Sequence, residues 1–385
     1  MDRPIKIALI SPYDHAFLGG VTDHINKLAA QFRSWGHTVR VIAPCSAPQS
    51  IEDEDFIPMG RPVPVPSGGS IARVSLSVWL RPRIKALLKR EAFDVIHLHE
   101  PMAGFVTLNV LSVASSVNSV NIGTFHTNRG TPLYRIGGKR LAMPYFRRLH
   151  GRIAVSQSAY QFISHHLPGH YEIIPNGIQV DEFADATPFP ELRDGMVNLL
   201  FVGRLEKRKG LKYLLGAYGR LKWDWPNLRL LVVGPGKPDD DSHRIMSERN
   251  LQDVVFVGSV SDEDKARYYQ SADIFCSPAT GRESFGIVLL EGMATSKPVV
   301  ASDIEGYSSL MTHGQEGLLV SPKREDALAD AIATLLKDPA LRARLGENGR
   351  RTAEQFGWER VAAQVMDYYK VFLDGGEVKV SEGAL

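Results

Sequence analysis

Cysteine, net charge and long apolar runs are all scarce in this chain of 385 residues. Its two cysteines, Cys45 and Cys276, lie far apart and without metal-ligand spacing, so we expect free thiols in a reducing compartment rather than disulfides or a zinc site. Lysine and arginine number 45 against 43 acids, and this near balance gives no case for bulk nucleic-acid binding. The longest uncharged stretch, residues 102–127, is interrupted by Gly, Ser and Asn, and the amino-terminal apolar run is too short for a signal peptide. We therefore expect a cytoplasmic protein whose membrane contact would be peripheral.

The fingerprint of dinucleotide-binding proteins is also missing. The first predicted strand, residues 5–10, is followed by Gly19 and Gly20 rather than by G-x-G-x-x-G, which disfavours a nicotinamide-dependent enzyme. Glycines in this place let backbone N–H groups approach a phosphate closely. A plain turn explains the pair equally well.

Strand and helix patterns alternate along the whole chain, as is typical of parallel sheets covered on both faces by helices. The length is sufficient for two domains, and residues 187–195 combine proline, glycine and charge as a linker does. We predict an α/β fold with a first domain at residues 1–186 and a second at 187–357. A last helix with one apolar face, residues 358–374, would precede a mobile tail at 375–385.

The segment 277–294 carries the clearest chemical pattern of the sequence. It predicts a loop and then a buried helix from Phe285, with Ser284 as its N-cap. Glu291 is the only charge on this apolar helix, where an unpaired carboxylate would be costly. Glu283 precedes it in the loop, beside a helix start whose free N–H groups favour a phosphate. Two acids around an anion site suit a nucleotide sugar, whereas a solvated loop acid and an outward-pointing helix acid are the alternative.

The segment 204–210, Arg-Leu-Glu-Lys-Arg-Lys-Gly, lies between a predicted strand and a predicted helix. Cations at such a place can clamp a diphosphate, but the residue types do not choose among them, and a solvated basic loop is equally compatible. His126 ends another predicted strand, at the edge where open α/β sheets bind ligands. A histidine that is hydrogen-bonded inside the fold is the alternative.

These stretches together resemble the retaining glycosyltransferases of family 4. The run Ala-Thr-Gly-Arg-Glu-Ser-Phe-Gly-Ile-Val-Leu-Leu-Glu, which ends at Glu291, is similar to the E-x7-E region of that family, and within it to the phosphatidylinositol mannosyltransferases of bacterial membrane synthesis. The resemblance extends from about residue 5 to about residue 372. It implies the GT-B architecture, in which two Rossmann-like domains face one another across a cleft and the last helix packs back on the first domain.

The resemblance also implies the residues of the site. Residues that would bind the donor are Gly19, Gly20, Arg204, Lys209, Val260, Asp262, Lys265, Glu283, Ser284, Phe285, Gly286, Ile287 and Glu291. Within this set Arg204 and Lys209 would neutralise the diphosphate, Glu283 would hold hydroxyls of the transferred sugar, and Glu291 would hold the ribose. His126 would contact the transferred sugar and, with Glu283, Arg204 and Lys209, would carry the catalysis. The acceptor would contact Tyr13, Thr22 and Thr127.

The activity implied is transfer of mannose from GDP-mannose, which is a substrate, with no metal ion and no cofactor. No Asp-x-Asp metal motif occurs where it would be needed, and we interpret the acids at 239–241 as solvated. Asp262 could accept the N–H donors of guanine, which favours GDP over UDP, or could be only the first acid of a helix. Thr22 and Gly68 replace amide side chains that read inositol in the enzymes resembled, so another glycolipid or a soluble polyol is a possible acceptor. A UDP-glucose transferase acting on diacylglycerol or a soluble acceptor, and a non-catalytic nucleotide-sugar-binding module, are the alternative functions.

A short basic helix is predicted near residues 79–91. Its cations are Arg81, Arg83, Lys85, Lys89 and Arg90, and they surround the apolar side chains of Ile84, Leu87 and Leu88. Such a helix can dock on anionic lipid heads, whereas an ordinary helix packs its leucines on the core. Membrane-associated relatives use a basic helix in this part of the chain. The resemblance therefore implies peripheral contact with the cytoplasmic face of a membrane.

Overall fold

The computed structural model describes residues 3–17, 19–67, 70–127, 138–281, 283 and 285–375. They form two compact units, of which one comprises the chain up to Gly177 together with the residues from Trp358 onward, and the other comprises Ile178–Gly357. This division falls before residue 186, where the linker composition predicts it. The reason is that Ile178 and Phe183 are buried in the core of the second unit, and the Ile178 N–H donates to the Phe356 carbonyl. Of the predicted tail, only Gly375 belongs to the described residues.

The strands of the first unit alternate with helices as the sequence predicts, except that the described part of residues 38–74 holds four strands with no α-helix between them. They are β1 Lys6–Ile10, β2 Thr38–Ala43, β3 Phe56–Pro58, β4 Val63–Ser67, β5 Ser70–Val74, β6 Val95–His99, β7 Val120–Phe125, β8 Gly151–Ala154 and β9 Glu172–Ile173. A parallel sheet has the order β3-β2-β1-β6-β7-β8-β9, whereas β4 and β5 form an antiparallel hairpin. Strand β6 is buried along its whole length, which is typical of a parallel strand that helices cover on both faces.

Helices lie on both faces of this sheet. They are α1 Gly20–Ser34, α2 Arg81–Glu91, α3 Phe105–Val113, α4 Gly138–Phe146 and α5 Gln157–His166. Helix α1 buries its Ile25, Leu28 and Phe32 stripe in one hydrophobic cluster, and α2 and α3 contribute to the cluster on the opposite face. Because successive parallel strands end at the same edge of a sheet, the residues after β6 and β7 are neighbours.

The second unit has an all-parallel sheet. Its strands are β10 Val197–Val202, β11 Leu228–Val233, β12 Val254–Gly258, β13 Ile274–Ser277, β14 Val299–Ser302 and β15 Gly317–Val320, in the order β12-β11-β10-β13-β14-β15. Its helices are α6 Val180–Ala184, α7 Leu211–Leu221, α8 Asp240–Glu248, α9 Asp262–Ser271, α10 Ile287–Ala294, α11 Glu305–Ser308, α12 Glu325–Lys337 and α13 Pro339–Glu354. The prediction of an α/β fold with two parallel sheets is confirmed.

Two local predictions in the second unit are wrong. Helix α10 begins at Ile287 rather than at Phe285, because Gly286 has a φ of +88° and forms the N-cap in a left-handed conformation. Ser284, the predicted N-cap, lies outside the described residues. The acids at 239–241 are not simply solvated: the Asp239 side chain accepts the Ser242 N–H and caps α8, and Asp241 pairs with Lys212 at 2.9 Å.

The last helix, α14 Trp358–Leu373, packs within the first unit. The Tyr369 hydroxyl lies 2.6 Å from His97 Nδ1, and the Tyr368 hydroxyl accepts the Arg152 N–H at 3.0 Å. Val361, Val365 and both tyrosines are buried, as the apolar face of the sequence predicts. None of the helices that the structure describes is long and apolar enough to cross a bilayer.

Candidate active site

A basic turn follows β10 in the second unit. Residues 207–209 form a single 3-10 turn, which ends at Gly210 with a φ of +75°, and α7 begins at the next residue. A Cβ atom on Gly210 would lie 1.9 Å from the Pro278 carbonyl oxygen, so glycine is required for this close approach. The Thr280 N–H donates to the Arg208 carbonyl at 2.8 Å. The basic turn and the loop that begins at residue 278 are thereby held against one another.

Two cations from this turn hold Glu283. Its Oε1 atom lies 2.9 Å from Lys209 Nζ and also accepts from Arg208 Nη1. Glu206 pairs with Arg208 Nε at 2.7 Å and with Arg204 Nε at 3.3 Å. The side chains of Lys209 and Glu283 are 13% and 12% exposed, whereas that of Arg204 is 57% exposed. The cations of this group outnumber its acids, and Arg204 is the more accessible of the two that the sequence assigns to a diphosphate.

The start of α10 lies beside this network. The first N–H groups of a helix have no acceptor within the helix and carry a partial positive charge, which favours an anion. Phe285 is buried and packs at 5.8 Å from Phe356, so a ligand could reach it only through its backbone. Ile287, by contrast, is an exposed apolar residue. In this part of the predicted donor site, Phe285 and Gly286 thus offer backbone, whereas Ile287 offers an exposed apolar side chain.

Glu291, which lies on α10, has the partners that its burial requires. Its Oε2 atom accepts from the Tyr269 hydroxyl at 2.8 Å, and its Oε1 atom lies 3.1 Å from Lys265 Nζ. Lys265 also pairs with Asp262 at 3.1 Å, and the Asp262 side chain is 80% exposed. Burial acts to lower the pKa of Lys265, but the two carboxylates outweigh it and raise that pKa. The structure thus joins Asp262, Lys265 and Glu291 of the predicted donor site. Val260, two residues before Asp262, is half-buried and packs against the hydrophobic core of the second unit.

The predicted sugar and acceptor residues of the first unit meet at Glu100. This buried residue follows β6 with a φ of +47°, and its Oε1 atom accepts the N–H groups of His126 and Thr127, each at 2.7 Å. Burial raises the pKa of Glu100 to about 7, against the effect of these two donors. Burial and the Glu100 charge also raise the pKa of the Tyr13 hydroxyl. Glu100 therefore fixes the backbone at the end of β7 and lies close to the Tyr13 ring.

The other predicted residues of the first unit belong to α1. Gly19 is its N-cap in an extended conformation, and Gly20 is its first residue. A Cβ atom on either glycine would meet nothing within 4 Å, so the space beside this helix start is open. Thr22 is buried, with 3% exposure, and offers almost no surface to an acceptor.

His126 is one of three packed histidines. Its Nε2 atom lies 3.0 Å from His99 Nδ1, and the His24 ring lies at 4.8 Å from the His126 ring. Burial lowers the pKa of His24 to about 4 and lowers those of His99 and His126 well below the ordinary value. Among the described residues, these three have ligand atoms close enough together, all within 4.8 Å, to hold a metal ion.

Several of these residues are absent from the predicted set of site residues, although Arg208 is one of the cations among which the residue types alone do not choose. Two of the absent residues lie at the basic turn: Arg208 contacts Glu283, and Glu206 contacts Arg204. The other three contact His126, and they are Glu100, His24 and His99. His99 and Glu100 could have been found, because His99 is the last residue of β6 and Glu100 follows it, at the same sheet edge as His126. His24 lies on a helix with an ordinary apolar stripe, and no feature of the sequence distinguishes it.

Both halves of the chain match family models. The model of "Glycosyltransferase Family 4" covers residues 18–182, and that of "Glycosyl transferases group 1" covers residues 186–352. The phosphatidyl-myo-inositol mannosyltransferase of Mycobacterium tuberculosis is 36% identical over 377 residues, which are 97% of this chain and 98% of that protein. The protein of the same name from Mycolicibacterium smegmatis is 35% identical over 385 residues, with 99% of this chain and 97% of the relative covered.

Solved structures agree on the fold. A glycosyltransferase from Rickettsia africae has a TM-score of 0.80 at 20% identity, and covers 97% of this chain with 100% of its own. Anabaena HepE in complex with UDP has a TM-score of 0.77 at 20% identity, with 95% of this chain and 100% of that chain covered. At such identities the likeness concerns the fold alone. The full-length relatives and the two family models together show that the chain belongs to glycosyltransferase family 4, has the GT-B fold and is similar to the phosphatidyl-myo-inositol mannosyltransferases.

Proposed function

We propose that this glycosyltransferase moves mannose from GDP-mannose to a lipid-linked polyol such as phosphatidylinositol, with retention of configuration and without a metal ion. The observation that carries the proposal is the ion-paired group of Arg208, Lys209 and Glu283 beside the start of α10, with Glu291 buried further along the same helix. The relatives at 35–36% identity, which bear the name of such an enzyme, support the choice of sugar and acceptor.

The cations would act on the leaving group. Arg204, Lys209 and the first N–H groups of α10 would neutralise the diphosphate as the bond between its oxygen and the anomeric carbon breaks. The acceptor oxygen would bond to that carbon on the same face, and its proton would pass to the departing phosphate oxygen. Lys209 is engaged by Glu283 in the present structure. Binding of the donor would therefore exchange partners, with the diphosphate taking the cations and the sugar hydroxyls donating to Glu283.

The donor base is proposed from Asp262. Its carboxylate is exposed and has only one ion-pair partner among the described residues, Lys265, so it could accept the N1–H and N2–H groups of guanine. The alternative is a UDP-glucose transferase, and Anabaena HepE was solved with UDP. Thermal stabilisation by GDP that exceeds that by UDP, and that falls in Asp262→Asn, would support guanine. Stabilisation by UDP alone would refute it.

Transfer itself is tested with labelled donor. Radiolabelled GDP-mannose is incubated with the protein and vesicles containing phosphatidylinositol, and the lipid product is identified. Mannosylated phosphatidylinositol is expected, and label should not enter lipid from UDP-glucose. A protein that is stabilised by donor but releases no nucleoside diphosphate with any acceptor would be a binding module, which is the second alternative.

The role of Glu283 has a sharper test. Glu283→Gln should lower kcat by ~100-fold or more, since the carboxylate is proposed to hold the reacting sugar, and should change GDP affinity much less. Glu347→Gln, an exposed glutamate on α13, serves as the matched control and should leave both quantities unchanged. Equal losses of turnover and nucleotide affinity in Glu283→Gln would mean that this residue serves binding only.

Peripheral contact with the cytoplasmic face of a membrane is proposed for α2. All five of its predicted cations are exposed, whereas Ile84, Leu87 and Leu88 are buried in the core. The apolar face of the helix is therefore occupied, and lipid contact would depend on the cations and on Trp79, which is 87% exposed just before α2.

Co-sedimentation with vesicles tests this contact. Binding should require an anionic lipid, should weaken with added salt, and should fall in the double variant Lys85→Glu/Lys89→Glu. The double reversal Lys337→Glu/Arg344→Glu, at exposed positions on α12 and α13 of the second unit, is the charge-matched control and should bind as the wild type does. Equal binding of all variants to neutral and anionic vesicles would contradict the assignment.

A further inference from the structure

We propose that His24, His99 and His126 form a binding site for a first-row transition-metal ion of the Zn²⁺ type, and that an ion bound there inhibits the enzyme by withdrawing His126 from the substrate. The inhibitory half of this statement rests on the proposed function, whereas the binding half does not.

The site is built from three separate elements of the first unit. His24 lies on α1, His99 is the last residue of β6, and His126 directly follows β7. One ring nitrogen from each lies within 4.8 Å of the other two, and His99 Nδ1 and His126 Nε2 are already 3.0 Å apart. Nitrogens that bind Zn²⁺ tetrahedrally at ~2.1 Å lie ~3.4 Å from one another. Binding would replace the hydrogen bond between His99 Nδ1 and His126 Nε2, and it would require the rings to rotate beside the Asn176 side chain, which interacts with His24 and His126.

Two ring nitrogens of this cluster lack a partner. His24 Nδ1 and His99 Nε2 are both buried and make no hydrogen bond, although His24 is only 4% exposed and His99 is fully buried. Buried polar atoms are usually satisfied in folded proteins, and seven others in the described residues also lack a partner, so the two orphans add support to the ring geometry but do not single out the cluster alone. His99 Nε2 is the ring nitrogen opposite the Nδ1 that faces His126, so the free nitrogen directly available to an ion is His24 Nδ1. His97, by comparison, is buried in the same stack of rings and has a partner for each nitrogen, Tyr369 and Thr124. Within this stack of rings, the nitrogens without a partner thus belong to His24 and His99, which are two of the three proposed ligands.

The chemistry of the cluster selects the ion. Coordination requires neutral imidazoles, and the three histidines of the cluster offer only nitrogen ligands. Imidazole nitrogens suit Zn²⁺, Co²⁺, Ni²⁺ and Cu²⁺, whereas Mg²⁺ and Ca²⁺ require oxygen ligands. Glu100 is buried beside His126 and accepts its backbone N–H at 2.7 Å, which fixes the backbone of this proposed ligand. The site should therefore bind Zn²⁺ and should not bind Mg²⁺.

Binding is measured directly on tag-free, metal-free protein. Calorimetric titration with ZnCl₂ should give one ion per chain, and CoCl₂ should give visible d–d absorption bands that ZnCl₂ abolishes by displacement. His24→Gln and His99→Gln should each weaken binding by at least ~10-fold, since losing a ligand costs no less than losing an outer-shell partner. His165→Ala, an exposed histidine on α5, is the control and should bind as tightly as the wild type.

Near-UV circular dichroism establishes whether each variant is folded, and the wild-type titration does not depend on any variant. The proposal is overturned if the wild type takes up no stoichiometric Zn²⁺, or if His24→Gln, His99→Gln and His165→Ala bind it equally. Inhibition is read separately: Zn²⁺ should suppress mannosyl transfer, Mg²⁺ should not, and a chelator should restore turnover. Because the titration uses no turnover, failure of the transferase proposal leaves the test of binding intact, and Zn²⁺ binding without inhibition would overturn only the inhibitory half.

Discussion

The buried acid on α10 allows a quantitative prediction of stability. Glu291→Gln keeps the shape of the side chain and an oxygen for the Tyr269 hydroxyl, but removes the charge that faces Lys265 at 3.1 Å. Removing one partner of a fully buried ion pair costs about 3–5 kcal/mol. Lys265 retains Asp262 at 3.1 Å, and its side chain is 25% exposed, so we expect a smaller loss of about 1–3 kcal/mol in the free energy of unfolding.

Scanning calorimetry at pH 7 measures this loss. For a unit of this size ~2 kcal/mol corresponds to a fall of ~4–8 °C in the Tm of its transition. Asp262→Asn is the matched control, since Asp262 is the other ion-pair partner of Lys265 and its side chain is 80% exposed. This substitution should change the free energy of unfolding by at most ~0.5 kcal/mol. A Glu291→Gln protein as stable as the wild type, or an Asp262→Asn protein equally destabilised, would refute the reasoning that burial sets the strength of this pair.

Two further predictions concern a glycine and a pair of histidines. Gly210→Ala should destabilise the second unit by ~3 kcal/mol or more in chemical denaturation, because both the positive φ of Gly210 and its close backbone neighbour exclude a side chain. Gly258→Ala, at a φ of +83° but with open space around it, should cost only ~1 kcal/mol. Equal costs would contradict the role of the close approach. His37 and His150 each accept a backbone N–H at Nδ1, and burial lowers the pKa of both. Their neutral forms therefore stabilise the fold above pH 6.5, and this stability should be lost as the pH falls through their folded pKa values. His37→Asn and His150→Asn, whose amide oxygen can accept the same N–H without titrating, should show a smaller fall in unfolding free energy between pH 7 and pH 5, and an unchanged fall would contradict the assignment.

The residues of the candidate site show where sequence-based reasoning ends. The sequence indicates that Glu291 needs a partner, but Lys265 and Tyr269 reach it only because α9 packs beside α10. Likewise the basic turn was predicted as a clamp for a diphosphate, yet the structure places Arg208 and Lys209 on Glu283 and leaves Arg204 exposed. Such pairings depend on distances between elements, which periodicity does not contain.

The sequence by itself determined the alternation of strands and helices, the two parallel sheets and the family, because apolar periodicity follows directly from backbone hydrogen-bond geometry and the motifs are local. The tertiary structure alone decided the exact start of α10, where a left-handed Gly286 ends the loop, and the meeting of His24, His99 and His126. Those histidines come from a helix and two strands distant in the chain, and only the register of parallel strands and the packing of α1 on the sheet bring their rings together. Secondary structure depends mainly on neighbouring residues, whereas a site whose residues come from several elements forms only when those elements pack together.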